Sequence, residues 1–190
     1  MASILKSRPF LWLILALPGL GMLYAYTFTP DEYGYGHIIG DSGKWAAWLL
    51  MATLAVTPLR LMFKGYRWTA WLMRRRRDLG VASFAYAAGH TIIYLLRKAV
   101  PDIVLAELAT PYILAGWIAF ALFVPLAVTS NDISVRRLRR SWKKLHRLVY
   151  PAAILVFVHW VLSAFDPTTA WIHVGILAAI EIVRVALQRR

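Results

Sequence analysis

Residues 143–160 read KKLHRLVYPAAILVFVHW. A block of positive charge gives way to an apolar run that continues to Phe165. From Leu145 onward the segment has the ~20-residue length that crosses ~30 Å of hydrocarbon at ~1.5 Å per residue. No water satisfies the backbone at that depth, so such a run is a helix. It carries two histidines, His146 and His159, thirteen positions apart. Ionisable groups at membrane depth are costly and point to function by default.

Five further runs of similar length lie on either side: Pro9–Phe28, Lys44–Met62, Leu79–Leu96, Pro111–Ser130 and Thr169–Leu187. The composition agrees. Hydrophobic types make up 60% and charged types 16%, with a mean hydropathy of +0.58, against about 45–50% and about 25% in soluble domains. Nine Trp and nine Tyr suit the two membrane interfaces. The expected fold is an all-α membrane protein, a six-transmembrane-helix bundle forming one domain over residues 1–190. The chain has no Cys, which excludes disulfides and thiolate metal sites. The first run follows Lys6 and Arg8, but it exceeds a ~7–15-residue signal core and no A-x-A-like site follows it. It is expected to stay as the first helix, bent at Pro18, Gly19 and Gly21.

Charge placement orients the bundle. With the N-terminus inside and sides alternating, 19 of the 22 Lys and Arg fall on the inner face. They cluster at Arg74–Arg77 and at Arg136–Arg147. This is the positive-inside asymmetry and puts both termini in the cytoplasm. The net charge of +13 is then a topological signal, and nucleic-acid binding is not needed to explain it.

His90 lies about eleven residues into the third run and His159 deep in the fifth, which crosses in the same direction. Each is roughly 15–20 Å from the inner helix end. Two neutral imidazoles at matched depth suit the axial positions of a haem iron and leave no open site, which favours electron transfer. The competing reading has each histidine hydrogen-bonding a neighbouring helix. His146 lies about 20 Å nearer the cytoplasm than His159 and could serve an inner haem. In an ideal helix their side chains stand about 140° apart, so a shared face needs an irregularity, which Pro151 can supply. At the depth of His146, just ahead of the third run, stand Arg76 and Arg77, which are poor iron ligands but good partners for propionates or a flavin phosphate. His173 is a reserve candidate, and His37 falls in an outer loop. Glu181 can pair with Arg184 one turn later. No GxxxxGK[ST], GxGxxG or HExxH motif is present.

Three stretches carry a family resemblance: RRRRDLGVASFAYAAGHTIIY (74–94), TSNDISVRRLRRSWKKLHRLVYPAAILVFVHW (129–160) and LMATLAVTPLRLM (50–62). Over roughly residues 43–185 the chain resembles the MsrQ (formerly YedZ) family of the ferric-reductase-like transmembrane superfamily. The resemblance implies a multi-pass b-type cytochrome of the bacterial inner membrane, the haem-binding subunit of a protein-methionine-sulfoxide reductase system. It implies electrons drawn from a cytoplasmic flavin reductase or the quinone pool. They would pass to a periplasmic molybdopterin subunit where catalysis takes place. It matches the family's histidines to His90, His146 and His159, and it implies one haem b, with a second left open, and FMN. Asp78 departs from the family pattern by placing a charge beside Arg77. Two alternatives remain at this point: a stand-alone ferric or oxygen reductase-type cytochrome, and a small transporter without haem.

Overall fold

The computed structural model describes residues 7–189. Lys6 and Arg190, counted above among the inner-face cations, lie outside the described residues. Six helical stretches are long and apolar enough to cross a membrane, and no strand occurs among the described residues. They are α1 (Arg8–Phe28), α2 (Tyr35–Met62), α3 (Arg67–Lys98), α5 (Pro111–Val128), a compound fifth stretch, and α9 (Thr168–Gln188). The short α4 (Pro101–Glu107) precedes α5, and α6 (Asp132–Leu138) follows it. The fifth stretch is built from α7 (Arg140–Leu145), a 3-10 turn at His146–Leu148 and α8 (Val149–Ser163).

The bounds of α1, α5 and α9 fall within two residues of the ends of their apolar runs. Two helices overrun theirs. α2 begins at Tyr35 and α3 at Arg67, well before Lys44 and Leu79. Hydropathy marks the hydrocarbon, whereas hydrogen bonding and propensity mark the helix, and arginine is a good helix former. At 32 residues, α3 is about 48 Å long and overhangs a ~30 Å core. His90 is therefore its twenty-fourth residue, and helix ends are poor markers of depth.

The fifth stretch is irregular near Pro151, as its sequence suggests. Proline gives no N–H to the Arg147 carbonyl, and the turn just ahead tightens to 3-10. Three steps at about 120° in place of 100° bring His146 and His159 from about 140° to about 80° apart. Arg139, at φ 48°, separates α6 from α7.

The chain divides into two compact units, one reaching to Arg97 with Arg184 onward, the other Lys98–Val183. In the first, α3 runs antiparallel to α2 with a seam spaced alternately four and three residues apart: Leu72, Arg76, Leu79, Ser83, Tyr86, His90. That is coiled-coil spacing. The apolar and aromatic members pack in a core with Leu49, Val56 and Ala82, against Trp12 and Leu15 of α1. The polar members reach across to carbonyls of α2. Arg76 Nε donates to Thr53 O at 3.2 Å, Ser83 Oγ to Ala46 O at 2.8 Å, and His90 Nδ1 lies 2.9 Å from Ile39 O.

α1 buries no residue fully, and two side chains of α3 tie it down. Tyr86 Oη donates to Leu15 O at 2.7 Å and accepts from Gly19 N–H at 2.9 Å. The hydroxyl thus bridges one helical turn around Pro18, and a Cβ on Gly19 would lie 3.3 Å from it. Asp78 is buried and takes Arg8 Nε at 2.9 Å and Trp12 Nε1 at 3.3 Å, with Arg75 Nη1 at 3.8 Å. The charge expected beside Arg77 is therefore turned toward α1 and Arg75.

In the second unit α5 packs on α8. Ala115, Ala119, Phe123 and Leu126 of α5 are buried, as are Ala152, Ala153 and Phe157 of α8. Small residues on both faces let the backbones approach closely, the usual device where lipid offers no hydrophobic drive.

Candidate functional site

His90 and His159 are held in the same way, each inside its own unit. His159 Nδ1 lies 2.7 Å from Tyr112 O of α5, as His90 Nδ1 lies 2.9 Å from Ile39 O of α2. A carbonyl oxygen only accepts, so the proton sits on Nδ1 in both rings. In the neutral imidazole the lone pair is then at Nε2, the usual metal-binding nitrogen. Ser42 Oγ donates to the same Ile39 carbonyl at 3.1 Å and lies 3.4 Å from His90 Nδ1.

Each ring also rests on a glycine one turn beyond the accepting carbonyl. A Cβ on Gly43 would stand 3.2 Å from His90 Nδ1, and one on Gly116 only 2.8 Å from His159 Nδ1. Ile39 and Gly43 are four residues apart, as are Tyr112 and Gly116. A carbonyl and the residue four positions on face the same side of a helix. The imidazole therefore meets one turn twice, with its N–H on the carbonyl and its Nδ1–Cε1 edge where a side chain would begin.

His146 is held differently. Its ring stacks on Trp142 with centroids 3.9 Å apart, and its Nε2 lies 3.0 Å from Thr129 Oγ1. Thr129 Oγ1 donates to Pro125 O at 2.6 Å, so its oxygen accepts and His146 Nε2 carries the proton. Trp142 Nε1 donates to Thr129 O at 2.9 Å, so the end of α5 gathers both aromatic rings. Of the two arginines, Arg76 lies on the α3 seam with His90, its Nε on Thr53 O. Arg77 is one position off that seam and exposed. His173 Nδ1 lies 2.7 Å from Thr169 O of its own helix, and His37 stacks on Tyr33.

Among the described residues no three of His, Cys, Asp or Glu converge on a point that could hold a metal ion. A haem iron needs no such group, because the porphyrin supplies its equatorial ligands and the protein only axial ones. Two imidazoles fixed by Nδ1–H, with their lone pairs at Nε2, have the donor chemistry for that role. Sequence reading finds the histidines but misses Gly43, Gly116 and the carbonyls of Ile39 and Tyr112. The signal open to it is a glycine inside an apolar span.

Residues 42–157 match the family model described as ferric reductase like transmembrane component. Curated relatives carry the name protein-methionine-sulfoxide reductase heme-binding subunit MsrQ. That of Rhizobium meliloti (strain 1021) is 37% identical over 175 residues, covering 84% of this chain and 79% of the relative. That of Xanthomonas campestris pv. campestris (strain B100) is 42% identical over 141 residues, 72% of this chain and 63% of the relative. That of Xanthomonas axonopodis pv. citri (strain 306) is 41% identical over 143 residues, 73% and 64%. The chain thus spans just under two thirds of the Xanthomonas relatives it matches.

Proposed function

Since this chain belongs to the ferric-reductase-like transmembrane family, and within it to the MsrQ haem-binding subunits, we propose that it is a b-type cytochrome whose haem would be held by His90 and His159. The observation that carries this reading is the shared hold on the two rings, Nδ1–H to a helix carbonyl and Nε2 bearing the lone pair. Depth supports it as well. The charged flank marks the inner interface better than the helix ends do. Arg77 stands thirteen residues before His90, and Arg147 twelve before His159.

A bound haem supplies a one-electron iron couple, and the protein supplies ligation, orientation and a low dielectric. Held by two imidazoles, a haem would serve electron transfer and not oxygen binding, and the chain would act as a conduit. Both termini are cytoplasmic in this reading, and electrons enter there from a flavin reductase or the quinone pool. They leave on the periplasmic side of the inner membrane to a molybdopterin-dependent methionine-sulfoxide reductase. Converting a sulfoxide to a thioether takes two electrons and two protons and releases water. The partner therefore collects two successive single-electron deliveries.

His146, Arg76 and Arg77 form the inner part of the conduit. The arginines are suited to haem propionates or, if FMN binds, to its phosphate. His146 could help to hold an inner haem only if the proton on its Nε2, now shared with Thr129, moved to Nδ1.

Reduced-minus-oxidised spectra of the purified full-length protein test the reading. His90→Ala and His159→Ala should each abolish the low-spin b-type bands. Full retention of those bands in both variants would remove the assignment.

A further inference from the structure

We infer that Gly43 and Gly116, each with the carbonyl one turn before it, are positioning residues that set the ring orientation and donor strength of the two iron ligands. The inference rests on the haem reading above and deepens it. In each unit the accepting carbonyl and the glycine belong to the same turn of one helix: Ile39 with Gly43 on α2, Tyr112 with Gly116 on α5. The imidazole can form the Nδ1–H bond only by lying along that turn, over the place where the side chain four positions on would project. At Gly116 that place is 2.8 Å from His159 Nδ1 and 3.1 Å from Cε1, closer than a methyl group tolerates. The ring cannot yield while keeping its bond, because retreat from the Cβ is also retreat from Tyr112 O, now 2.7 Å away. At Gly43 the contacts are 3.2 and 3.3 Å, so the same substitution there needs only a few tenths of an ångström of movement.

The bond also tunes the iron. An imidazole that donates Nδ1–H to a carbonyl is a more basic ligand at Nε2 and favours the ferric state. Lengthening the bond weakens the donor and moves the midpoint potential in the positive direction. The glycines thus act through the histidines.

The experiment uses the full-length haem-loaded protein with Gly116→Ala, Gly43→Ala and Gly89→Ala. Gly89 is the control, since it adjoins His90 but has nothing within 4 Å of its added Cβ. Potentiometric titration and low-temperature EPR are the readouts, with haem per polypeptide measured alongside. Gly116→Ala should show a positive shift in potential and a high-spin or altered low-spin EPR signal. Gly43→Ala should show a smaller change in the same direction, and Gly89→Ala none. Wild-type potential and EPR in Gly116→Ala would overturn the inference. If Gly116→Ala cannot be produced, Gly43→Ala decides in the same way, with wild-type values overturning it. His90→Ala and His159→Ala separate the two failures. If they keep the bands, the haem reading falls. If they lose them while the glycine variants match wild type, only the positioning role falls.

Discussion

Arg76 and His90 stand two heptads apart on α3 and each commits a side-chain nitrogen to a carbonyl of α2, Thr53 and Ile39, which are themselves two heptads apart. Ser83 and the Ala46 carbonyl lie midway on both helices. The three bonds form a ladder along an antiparallel pair, and sliding α3 by one turn would break all of them together. The ladder fixes register, and His90 is at one end of it.

Ser83 is the rung whose loss is easiest to read. It is buried, and its hydroxyl bonds a carbonyl already used within the helix. Ser83→Ala should lower stability by about 0.6 kcal/mol, the mean for such bonds in membrane proteins, measured as a shift in the SDS unfolding midpoint. The b-type spectrum should be unchanged, since the His90 clamp is intact. Ser83→Leu overpacks the seam and should cost about 1–3 kcal/mol. It should also perturb the spectrum by pushing α3 off α2. A spectrum as altered in Ser83→Ala as in Ser83→Leu would argue against the ladder as a register device.

Asp78 and Tyr86 hold α1 at two heights, eight residues or about 12 Å apart on α3. Tyr86→Phe removes both the donor to Leu15 O and the acceptor for Gly19 N–H. It should cost about 1–2 kcal/mol. Asp78→Asn should cost about 1 kcal/mol, below the ~1.5–3 kcal/mol usual for bonds to charged groups, since Arg8 is largely exposed and screened. At that separation the effects should add within about 0.5 kcal/mol. Limited proteolysis at the α1–α2 connection should accelerate in each variant and most in the double. Unchanged cleavage in the double would mean that α1 is held by packing alone.

Outside the membrane, Tyr33 Oη donates to Asp41 Oδ2 at 3.0 Å, and Lys44 pairs with the other carboxylate oxygen. Partial burial, then the hydrogen bond to Asp41 and its negative charge, push the Tyr33 hydroxyl up from 10 to about 12. The native state holds this proton more tightly than the unfolded chain. The link's contribution is therefore fully present below pH 10 and lost as pH rises from 10 to about 12. Ultraviolet titration should show a late-ionising amplitude that falls by one tyrosine in Tyr33→Phe and moves in part toward pH 10 in Asp41→Asn. A late-ionising amplitude unchanged by Tyr33→Phe would assign the shift elsewhere.

Much of the fold was legible because lipid imposes a length and a composition on every spanning helix. The six runs followed from that, and Pro151 marked where the fifth stretch turns irregular. The seam of α3 was also present in the sequence as Leu72, Arg76, Leu79, Ser83, Tyr86 and His90, but apolar periodicity does not reveal it because every second member is polar. The α3 start at Arg67 was hidden because four arginines end a hydropathic run without ending a helix. The direction of Asp78 was hidden because Arg8 and Trp12 lie some seventy residues away in sequence. The role of Gly43 and Gly116 depends on contacts between helices, and spacing within one helix does not encode them.

The three histidines differ in tautomer, and this is the sharpest difference among them. The carbonyls of Ile39 and Tyr112 require Nδ1–H on His90 and His159, whereas Thr129 requires Nε2–H on His146. The last step follows from proton count, because the Thr129 hydroxyl has one proton and Pro125 O receives it at 2.6 Å. Free imidazole side chains favour no such split, so the neighbours impose it. Solid-state NMR of 15N-histidine-labelled protein prepared without haem should show the rings of His90, His159 and His173 protonated at Nδ1, the first two assigned by their loss in His90→Ala and His159→Ala. The signal lost in His146→Ala should be that of a ring protonated at Nε2. Thr129→Val should leave the His90 and His159 rings untouched while altering the His146 shifts, since only that ring loses an acceptor. If His146 instead gave the Nδ1–H signature, Thr129 would be the donor in that pair and its proton would not go to Pro125 O.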